Sequence, residues 1–372
     1  MKAIVRMAAG AILAWCLIAW PLKSAGEPEW PKAVRDRTWV FPRDHGAHPE
    51  FKTEWWYFTG QLADAEGRKF GYQLTFFREG LRRTADASPN PWSVRDLAMA
   101  HWTMTNAAAD EFRCSDLLSR TGPGLAGWRT ETLDVNVLGW SARLENGTIV
   151  LHAAKGGMTL DLVLSPRKPP VLHGQNGLSR KGPAEGEASY YASWTDLETR
   201  GKIIPRPGRA PSPVQGRSWF DHEFGSGLLA ENQTGWDWIS LHFSDGRDLM
   251  IYLLRRQDRS IESASSGTLI EADGRSRHLN LSEIEVDVRD HWKSPRSGGR
   301  YPSRWRIRLP DEGLEVFIRP LIADQEVRPA AMPALIYWEG AVFGEGRARG
   351  KAVKAEGYIE LTGYAGDLRT VF

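Results

Sequence analysis

Residues 55–78 read WWYFTGQLADAEGRKFGYQLTFFR, and this stretch decides the fold class. Polar and apolar side chains alternate through its second half, 71–78, so neighbouring residues would point to opposite faces of a strand. A turn that carries Gly67 separates this half from a tryptophan-rich first half. Two such runs joined by a glycine-containing turn predict an antiparallel β-hairpin.

The same order recurs in residues 236–255, WDWISLHFSDGRDLMIYLLR, where the turn carries Gly246. A repeated hairpin predicts two related β domains. A proline-rich loop, 205–213, lies between the two hairpins. We therefore place the two domains at 27–225 and 226–372.

Alternation with a period of two also governs most of the remaining chain. The runs AMAHWTMTN, VNVLGWSARL, TLDLVLS, SRWRIRL and GYIELTGY are short and bounded by Gly, Pro, Asn or Asp. Only 110–120 has a pattern that suits a helix. The sequence predicts an all-β protein with two antiparallel β-barrels packed side by side and few short helices.

Residues 1–26 have the form of a secretory signal peptide: a basic start, an apolar run, and small residues before Glu27. Their removal takes away Lys2, Arg6 and Lys23, which leaves 45 basic against 46 acidic residues and a net charge of −1. We therefore expect an exported protein, periplasmic or secreted. Its net charge gives no support to nucleic-acid binding.

Several chemical classes are disfavoured by what the sequence lacks. Only Cys114 remains beyond the leader, so neither an internal disulfide nor a four-thiolate zinc site can form. There is no run of 18 apolar residues, no P-loop, no dinucleotide fingerprint and no G-x-S-x-G elbow. We expect a protein without cofactor or nucleic-acid partner.

Tryptophan is abundant, with 17 residues in the chain, many at strand positions. Large aromatic side chains line apolar ligand pockets, and small β-barrels have room for one small ligand. The alternative for each tryptophan is plain core packing. The residues that we expect to bind a hydrophobic ligand are Trp56, His101, Trp102, Trp219, Trp236 and Trp238.

Acidic residues lie next to these aromatics, most densely in WFDHEFGSG at 219–227. In a strand, Asp221 and Glu223 would share one face and His222 would point to the other. A carboxyl group against aromatic walls has a raised pKa and can act as a general acid. The alternative is a structural network of histidine and carboxylates. We take as catalytic candidates Asp221, His222, Glu223, Asp237 and Tyr252.

A metal site is the third possibility that the residues leave open. His45 and His48 follow Asp44, and with His222 and a carboxylate they could bind zinc. A loop spacing of this kind is weak evidence for a ligand set. We therefore assign no metal-binding residue.

Several of these segments together resemble the AttH-like, carotenoid 1,2-hydratase-like proteins. The segments EWWYFTGQL, GYQLTFFR, AHWTMTN, SYYASWTDLETRG, WFDHEFGSG, GWDWISLHFSDGRDLMIY and IYWEGAVFGEG carry the resemblance over nearly all of the chain beyond the leader. The resemblance implies a lipocalin-like double barrel with a ligand cleft at or between the barrels. It implies hydration of an isolated alkene or guided cyclisation, both without cofactor, and many bacterial members are labelled secreted hydrolases.

The resemblance and the residues lead to one hypothesis with two alternatives. We expect an exported protein that acts on an apolar, lipid- or polyene-like substrate by acid catalysis of the hydratase type. Asp221 is the expected acid, with Glu223 or Asp237 as substitute, and His222 or Tyr252 would orient water. The alternatives are a non-catalytic periplasmic carrier and a metal-dependent hydrolase. The sequence leaves open the oligomeric state and the closeness to a membrane surface.

Overall fold

The computed structural model describes residues 29–83, 93–227, 230 and 232–366. The signal-peptide prediction for residues 1–26 lies outside these described residues. Within them, no helix combines the length and apolar character that a membrane span requires.

Strands dominate the chain, and they form two antiparallel sheets. The strands of the first sheet are β1 (Thr53–Asp64), β2 (Lys69–Gly80), β3 (Asp96–Asn106), β4 (Glu111–Arg120), β5 (Ala126–Trp128), β6 (Asp134–Val137), β7 (Trp140–Glu145), β8 (Thr148–Lys155), β9 (Met158–Pro166), β10 (Val171–Leu172), β11 (Leu178–Arg180), β12 (Ala188–Ile204) and β13 (Ser212–Gly225). The strands of the second sheet are β14 (Gln233–Phe243), β15 (Asp248–Arg256), β16 (Ser266–Ile270), β17 (Ser276–Asn280), β18 (Glu285–Lys293), β19 (Arg300–Leu309), β20 (Leu314–Pro320), β21 (Glu326–Val327), β22 (Tyr337–Ala348) and β23 (Lys351–Leu361).

Helical structure in the described ranges is limited to four 3-10 turns. They are Arg43–His45, Ala107–Ala109, Leu281–Glu283 and Pro310–Glu312. The helix expected at 110–120 is wrong, because this segment is strand β4, paired with β3 along its whole length. It is an end strand of the sheet with most side chains half-buried, so the sharp alternation that marks a strand with one buried face is missing from its sequence.

The two sheets share one strand order. The first runs β4-β3-β2-β1-β13-β12-β9-β8-β7-β6-β5 and the second β17-β16-β15-β14-β23-β22-β20-β19-β18. In each sheet, the first four strands form a meander. The first strand of the meander, β1 or β14, also pairs with the last strand of that sheet in the sequence, β13 or β23, and this pairing joins the meander to the other strands. The first sheet curls until β4 contacts β6, near its other end. The expected all-β architecture of two barrel-like sheets side by side is confirmed.

The two hairpins that set the fold prediction are built alike. In the β1–β2 turn, the amide of Asp64 donates to Arg68 and Gly67 donates back to Asp64. The β14–β15 turn repeats this pattern between Phe243, Gly246 and Arg247. Both turn glycines have positive φ, +76° and +88°, a region that other residues rarely adopt.

Each sheet closes around its own apolar core. In the first, Trp56, Phe58, Trp102 and Trp140 are packed inside with many aliphatic side chains. In the second, Trp305 and Trp338 play the same part. These barrel interiors are therefore filled, and a third buried cluster, which includes Trp219 and Trp238, lies between the sheets.

Direct contacts hold the two sheets together. The side-chain amide of Gln61 donates to the carbonyl oxygens of Val342 and Gly357 at 2.5 and 2.8 Å. Gly71 packs so closely on the second sheet that a Cβ there would stand 2.6 Å from the Cβ of Ala341. These contacts pack the two sheets against each other, and a cavity lies beside them in the same interface.

Candidate active site in the interface between the barrels

A cavity lies between the two sheets rather than inside either barrel. It leaves about 110 Å³ for the centres of water-sized molecules, several times the roughly 10–15 Å³ that one buried water needs. Half-buried Trp55, Phe77 and Trp236 are its most exposed aromatic residues. The lining residues are Thr53, Trp55, Tyr57, Gln73, Thr75, Phe77, His101, Lys181, Tyr191, Asp221, Glu223, Trp236, Trp238, Tyr252, Leu254, Leu335, Tyr337, Glu360 and Thr362.

The alternation of side chains along each strand explains this location. On β1, Trp55 and Tyr57 line the cavity, whereas Trp56 between them enters the first barrel core. On β13, Asp221 and Glu223 line the cavity and His222 points the other way. The cavity is thus bounded by the outer faces of both sheets.

Asp221 is buried at the cavity wall, and the hydrogen bonds it receives from the described residues all come from neutral groups. Tyr191 donates its hydroxyl to Oδ2 at 2.6 Å, the indole of Trp219 donates to Oδ1 at 2.5 Å, and the hydroxyl of Ser193 also donates to Oδ1. Burial raises the pKa of Asp221 to about 7, and these donors only partly offset the effect. The carboxyl group can therefore carry a proton near neutral pH.

A buried ion pair lies beside this acid. The ammonium of Lys181 is 2.7 Å from Oε1 of Glu223, and it lies 4.3 Å from the ring centre of Tyr252. Burial would lower the pKa of Lys181, but Glu223, Tyr252 and Asp221 together outweigh burial and raise it. Tyr252 donates its hydroxyl to the carbonyl of Arg180 at 2.8 Å. This end of the cavity is polar and already charge-paired.

A third carboxyl group at the cavity wall belongs to the second sheet. Glu360 on β23 accepts a hydrogen bond from the indole of Trp236 at 2.6 Å. Burial raises the pKa of Glu360 to about 7, helped by the charges of Asp221 and Glu223. The neighbouring indole of Trp238 donates to the hydroxyl of Tyr191 at 3.0 Å.

A histidine–tyrosine pair lines another part of the wall. His101 Nδ1 and the hydroxyl of Tyr337 are 2.8 Å apart. Burial lowers the pKa of His101 to about 4, so the ring is neutral at physiological pH. Nearby, Tyr57 donates to Glu339 at 2.7 Å, and burial raises the pKa of Glu339 well above its usual value.

The structure brings part of the predicted residue set together at this cavity. The predicted residues that line it are His101, Asp221, Glu223, Trp236, Trp238 and Tyr252. Trp219 lies behind the wall, where it supports Asp221 and contacts Trp238 edge-on with ring centres 6.2 Å apart. Its indole therefore contacts the Asp221 carboxyl group and does not line the cavity.

Four other candidates lie away from the cavity. Trp56 and Trp102 belong to the first barrel core, because their strand positions face inward. Asp237, on the opposite face of β14 from Trp236 and Trp238, is 2.9 Å from the guanidinium of Arg255 and accepts hydrogen bonds from Tyr364.

The fourth, His222, belongs to a buried network around Glu54. A ring nitrogen of His48 lies 3.0 Å from Oε1 of Glu54, and Nε2 of His222 lies 2.9 Å from the same oxygen. Arg78 binds the other oxygen at 3.1 Å. Burial alone would raise the pKa of Glu54, but the two histidine hydrogen bonds and the charge of Arg78 hold it well below its usual value.

The ligand atoms of His48, Glu54 and His222 lie within 4.8 Å of one another, as a metal site would require. Their surroundings do not fit a catalytic zinc. The carboxylate is already neutralised by the fully buried Arg78, and all three residues are buried on the face of β13 turned away from the cavity. A catalytic zinc keeps an open position for water or substrate, and these residues provide none.

Sequence reasoning missed Lys181, Tyr191, Tyr337 and Glu360. Lys181 lies in the irregular segment before β12, where no periodicity assigns a face. Glu360 had a usable signal, since it follows Tyr358 at a spacing of two and so shares its face on β23. Nothing in the sequence, however, showed that this face meets the outer face of the first sheet.

The fold and the cavity define a class: double-barrel proteins with an aromatic, acid-bearing cavity between the barrels. A family model described as AttH-like matches residues 32–364. The chain therefore belongs to the AttH-like family, which confirms the resemblance seen in its sequence. No curated protein matches the chain.

Solved structures show the same architecture. A crystal structure described as an AttH from Nitrosomonas europaea is 33% identical, with a TM-score of 0.79, and the match covers 90% of this chain and 99% of that one. Kievitone hydratase from Nectria haematococca is 15% identical, with a TM-score of 0.67 and coverage of 92% and 99%. CghA, solved with Sch210972, is 13% identical, with a TM-score of 0.51 and coverage of 86% and 90%. At the two lower identities the likeness concerns the fold alone.

Proposed function

We propose that the chain is a cofactor-free hydratase that adds water to an alkene of an apolar, lipid- or polyene-like molecule held between the barrels. The observation that carries the proposal is Asp221: a carboxyl group buried at a cavity wall, held by neutral donors only, with a pKa of about 7. A general acid works best when its pKa lies near the working pH. The hydratase among the fold relatives is consistent with this chemistry.

The proposed reaction has two steps. The carboxyl proton of Asp221 is transferred to one alkene carbon, and the π electrons form the new C–H bond. Water then adds to the resulting carbocation, and its surplus proton returns to the Asp221 carboxylate, so that alkene and water give an alcohol. Trp236 and Trp238 line the cavity, and their indole rings would stabilise the positive charge.

Water needs a polar group to orient it, and Tyr252 is our candidate. Tyr252 lines the cavity, and because its hydroxyl donates to the carbonyl of Arg180, the hydroxyl oxygen would accept a hydrogen bond from the water. His222, the other candidate from the sequence, points into the Glu54 network on the opposite face of β13, so we assign no step to it. Asp237 is paired with Arg255 away from the cavity, so we assign it no proton transfer.

The cavity limits how much of a substrate can be enclosed. Its size suits a short unsaturated segment, and the half-buried Trp55, Phe77 and Trp236 are placed to contact whatever part of a longer molecule extends outward. We therefore propose that recognition concerns one end of an apolar chain or a compact apolar molecule.

The test begins with a ligand. The purified chain is extracted and its bound apolar molecule is identified by native mass spectrometry, then incubated with the protein in ¹⁸O-labelled water. Hydration gives a product heavier by one labelled water. Recovery of the molecule unchanged would support the alternative, a carrier of hydrophobic ligands.

Two matched variants assign the acid. Asp221→Asn is expected to reduce turnover by about 10²- to 10⁴-fold, the usual contribution of general acid catalysis. Asp237→Asn makes the same chemical change on a carboxyl outside the cavity and is expected to retain turnover per folded molecule. Full activity in the Asp221 variant would remove the assignment.

Export is a separate proposal that rests on residues 1–26. Expression of the full chain in a Gram-negative host, followed by fractionation and N-terminal sequencing, tests it. We expect a periplasmic product that begins at Glu27. A cytoplasmic product that retains its first residues would contradict export.

A further inference from the structure

Acidic side chains outnumber basic side chains at the cavity wall. Of the residues that the structure describes, three carboxyl groups line it, those of Asp221, Glu223 and Glu360, and one Lys or Arg side chain, that of Lys181. Lys181 is committed to Glu223 at 2.7 Å. The histidine of the lining, His101, is neutral. Lys181 also acts on Asp221 at longer range, but its ion pair is with Glu223, so the wall carries more carboxyl groups than cations.

Among the described residues, no Lys or Arg side chain forms a salt bridge with the buried Asp221 or with the half-buried Glu360. The oxygens of Asp221 accept from two hydroxyl groups and one indole, and Glu360 accepts from the indole of Trp236. Two other buried carboxylates, Glu54 and Asp248, are held by Arg78 and Lys168, whereas the equally buried Glu339 accepts from the hydroxyl of Tyr57 and has a raised pKa. Ionised carboxylates are rarely buried without a partner of opposite charge.

Lys181 shows how this cavity accommodates a positive charge. Its ammonium lies 4.3 Å from the ring centre of Tyr252 and 5.2 Å from that of Tyr191, within the usual range of cation–π contacts. Across the cavity, Trp55, Trp236 and Trp238 provide further aromatic surface. In the described part of the chain, no lysine or arginine stacks on these three indoles.

We infer that this cavity binds an apolar organic cation, an amine or quaternary ammonium, whose charged centre lies among the tryptophans between Asp221 and Glu360. The ligand supplies the positive charge that the wall lacks, and its apolar part fills the remaining aromatic surface. The inference rests on the cavity of the proposed function being a ligand site, but it needs no hydration chemistry.

Proton uptake by the two free carboxyl groups makes the affinity depend on pH. The pKa of each is raised by burial to about 7, so both lose their protons between about pH 6 and 8 and the cavity becomes more negative. The cation therefore binds more tightly at pH 8 than at pH 6. The charged and titratable groups that face the two carboxyls are Lys181, Tyr191, Glu223, Tyr252, His101, Tyr337 and Glu339.

A pair of probes of equal shape separates charge from apolar contact. Benzyltrimethylammonium and its neutral isostere neopentylbenzene are titrated into the full-length protein at pH 6 and pH 8, with tryptophan fluorescence as readout. We expect the cation to bind about tenfold more tightly than the isostere at pH 8, a preference that shrinks at pH 6. Equal affinities, or no binding of either probe, would overturn the inference.

Variants locate the charge. Glu360→Gln and Asp221→Asn are each expected to weaken binding of benzyltrimethylammonium severalfold at pH 8 and to leave neopentylbenzene unchanged. Glu131→Gln, an exposed residue remote from the cavity lining, is the control that changes neither. Undiminished cation binding in both cavity variants would contradict the inference. Incorporation of labelled water into a neutral alkene remains a separate measurement, so hydration can succeed while this inference fails, and the reverse.

Discussion

Glu54 and Asp221 are two carboxyl groups that are almost completely buried, with relative exposures of 0% and 3%, yet they have opposite proton affinities. Glu54 is held by Arg78 and two histidines, and its pKa is well below the usual value. Asp221 receives only neutral donors, and burial raises its pKa to about 7. The difference teaches that the partners of a buried acid, here two histidines and an arginine against neutral donors, decide whether it stays ionised.

Removal of the cation from the Glu54 network should have the largest effect. Arg78→Met leaves Glu54 and Asp96 without their guanidinium and frees the carbonyls of His48 and Phe51. We expect a loss of about 3–5 kcal/mol in the free energy of unfolding, measured by urea titration.

Glu54→Gln is the companion if Arg78→Met does not fold. It keeps the shape of the side chain while it removes the charge that Arg78 neutralises. A loss below about 1 kcal/mol in Arg78→Met, which is typical of exposed pairs, would mean that the network is not structural.

The two acids should also give opposite pH dependences of stability. The folded pKa of Asp221 exceeds its unfolded value of 3.8, so its contribution is complete below about pH 4 and is lost as the pH rises through about 7. Between these two pH values the free energy of unfolding that Asp221 contributes falls by at most about 1.4 kcal/mol per pH unit. Glu54, with a lowered pKa, contributes above its unfolded value of 4.5 and loses that contribution in acid.

Thermal unfolding of two variants across pH 3–8 tests this pair of slopes. Asp221→Asn should reduce the loss of stability that the parent chain shows as the pH rises toward 7. Glu54→Gln should reduce the loss of stability that it shows as the pH falls below about 4.5. Parallel curves for the parent chain and Asp221→Asn between about pH 5 and 8 would show that Asp221 does not take up a proton on folding.

A smaller change should move the pKa of Asp221 without removing it. Tyr191→Phe deletes the hydroxyl that donates to Oδ2 at 2.6 Å, so the ionised form loses a charge-assisted hydrogen bond. We expect the pKa to rise by about one unit, since such bonds contribute roughly 1.5–3 kcal/mol. The measurement is a carboxyl ¹³C NMR titration.

Tyr190→Phe is the matched control on the same strand. Its hydroxyl donates to the carbonyl of Arg35 on the opposite face of β12, so the titration of Asp221 should stay as in the parent chain. An equal rise in both variants would point to a general loosening of the fold rather than to the missing donor.

The smallest effect should come from metal. Because Arg78 already neutralises Glu54, zinc in equimolar amount or a chelator should shift the midpoint of thermal unfolding by less than about 1 °C. Stabilisation by zinc that disappears in His48→Ala would show that these ring nitrogens bind a metal after all.

Much of this fold could be predicted from alternation because each strand has one face in a core. The hairpins at 55–78 and 236–255 are strands β1–β2 and β14–β15, and the opposite orientations of Asp221 and His222 follow from the period of two. The strand at 110–120 was missed because its half-buried side chains weaken that signal.

The cavity itself could not be located in the sequence. Alternation says that Trp55 and Trp56 face opposite ways, but it does not say which face meets the other sheet. The partners of Asp221 come from distant strands, and Lys181 lies in a segment without periodicity. A site made where two outer faces meet depends on tertiary packing that no local pattern encodes.

The close approach at Gly71 has a consequence for how this scaffold can diversify. Because the backbone of β2 almost touches Ala341, the gap between the barrels is set by a residue with no side chain. Side chains that line the cavity on the facing strands can be exchanged, and the ligand preference changed, while the spacing of the two sheets stays constant. A larger residue at position 71 would have to push β2 away from the second sheet, so this one glycine limits how the two barrels can be repacked against each other.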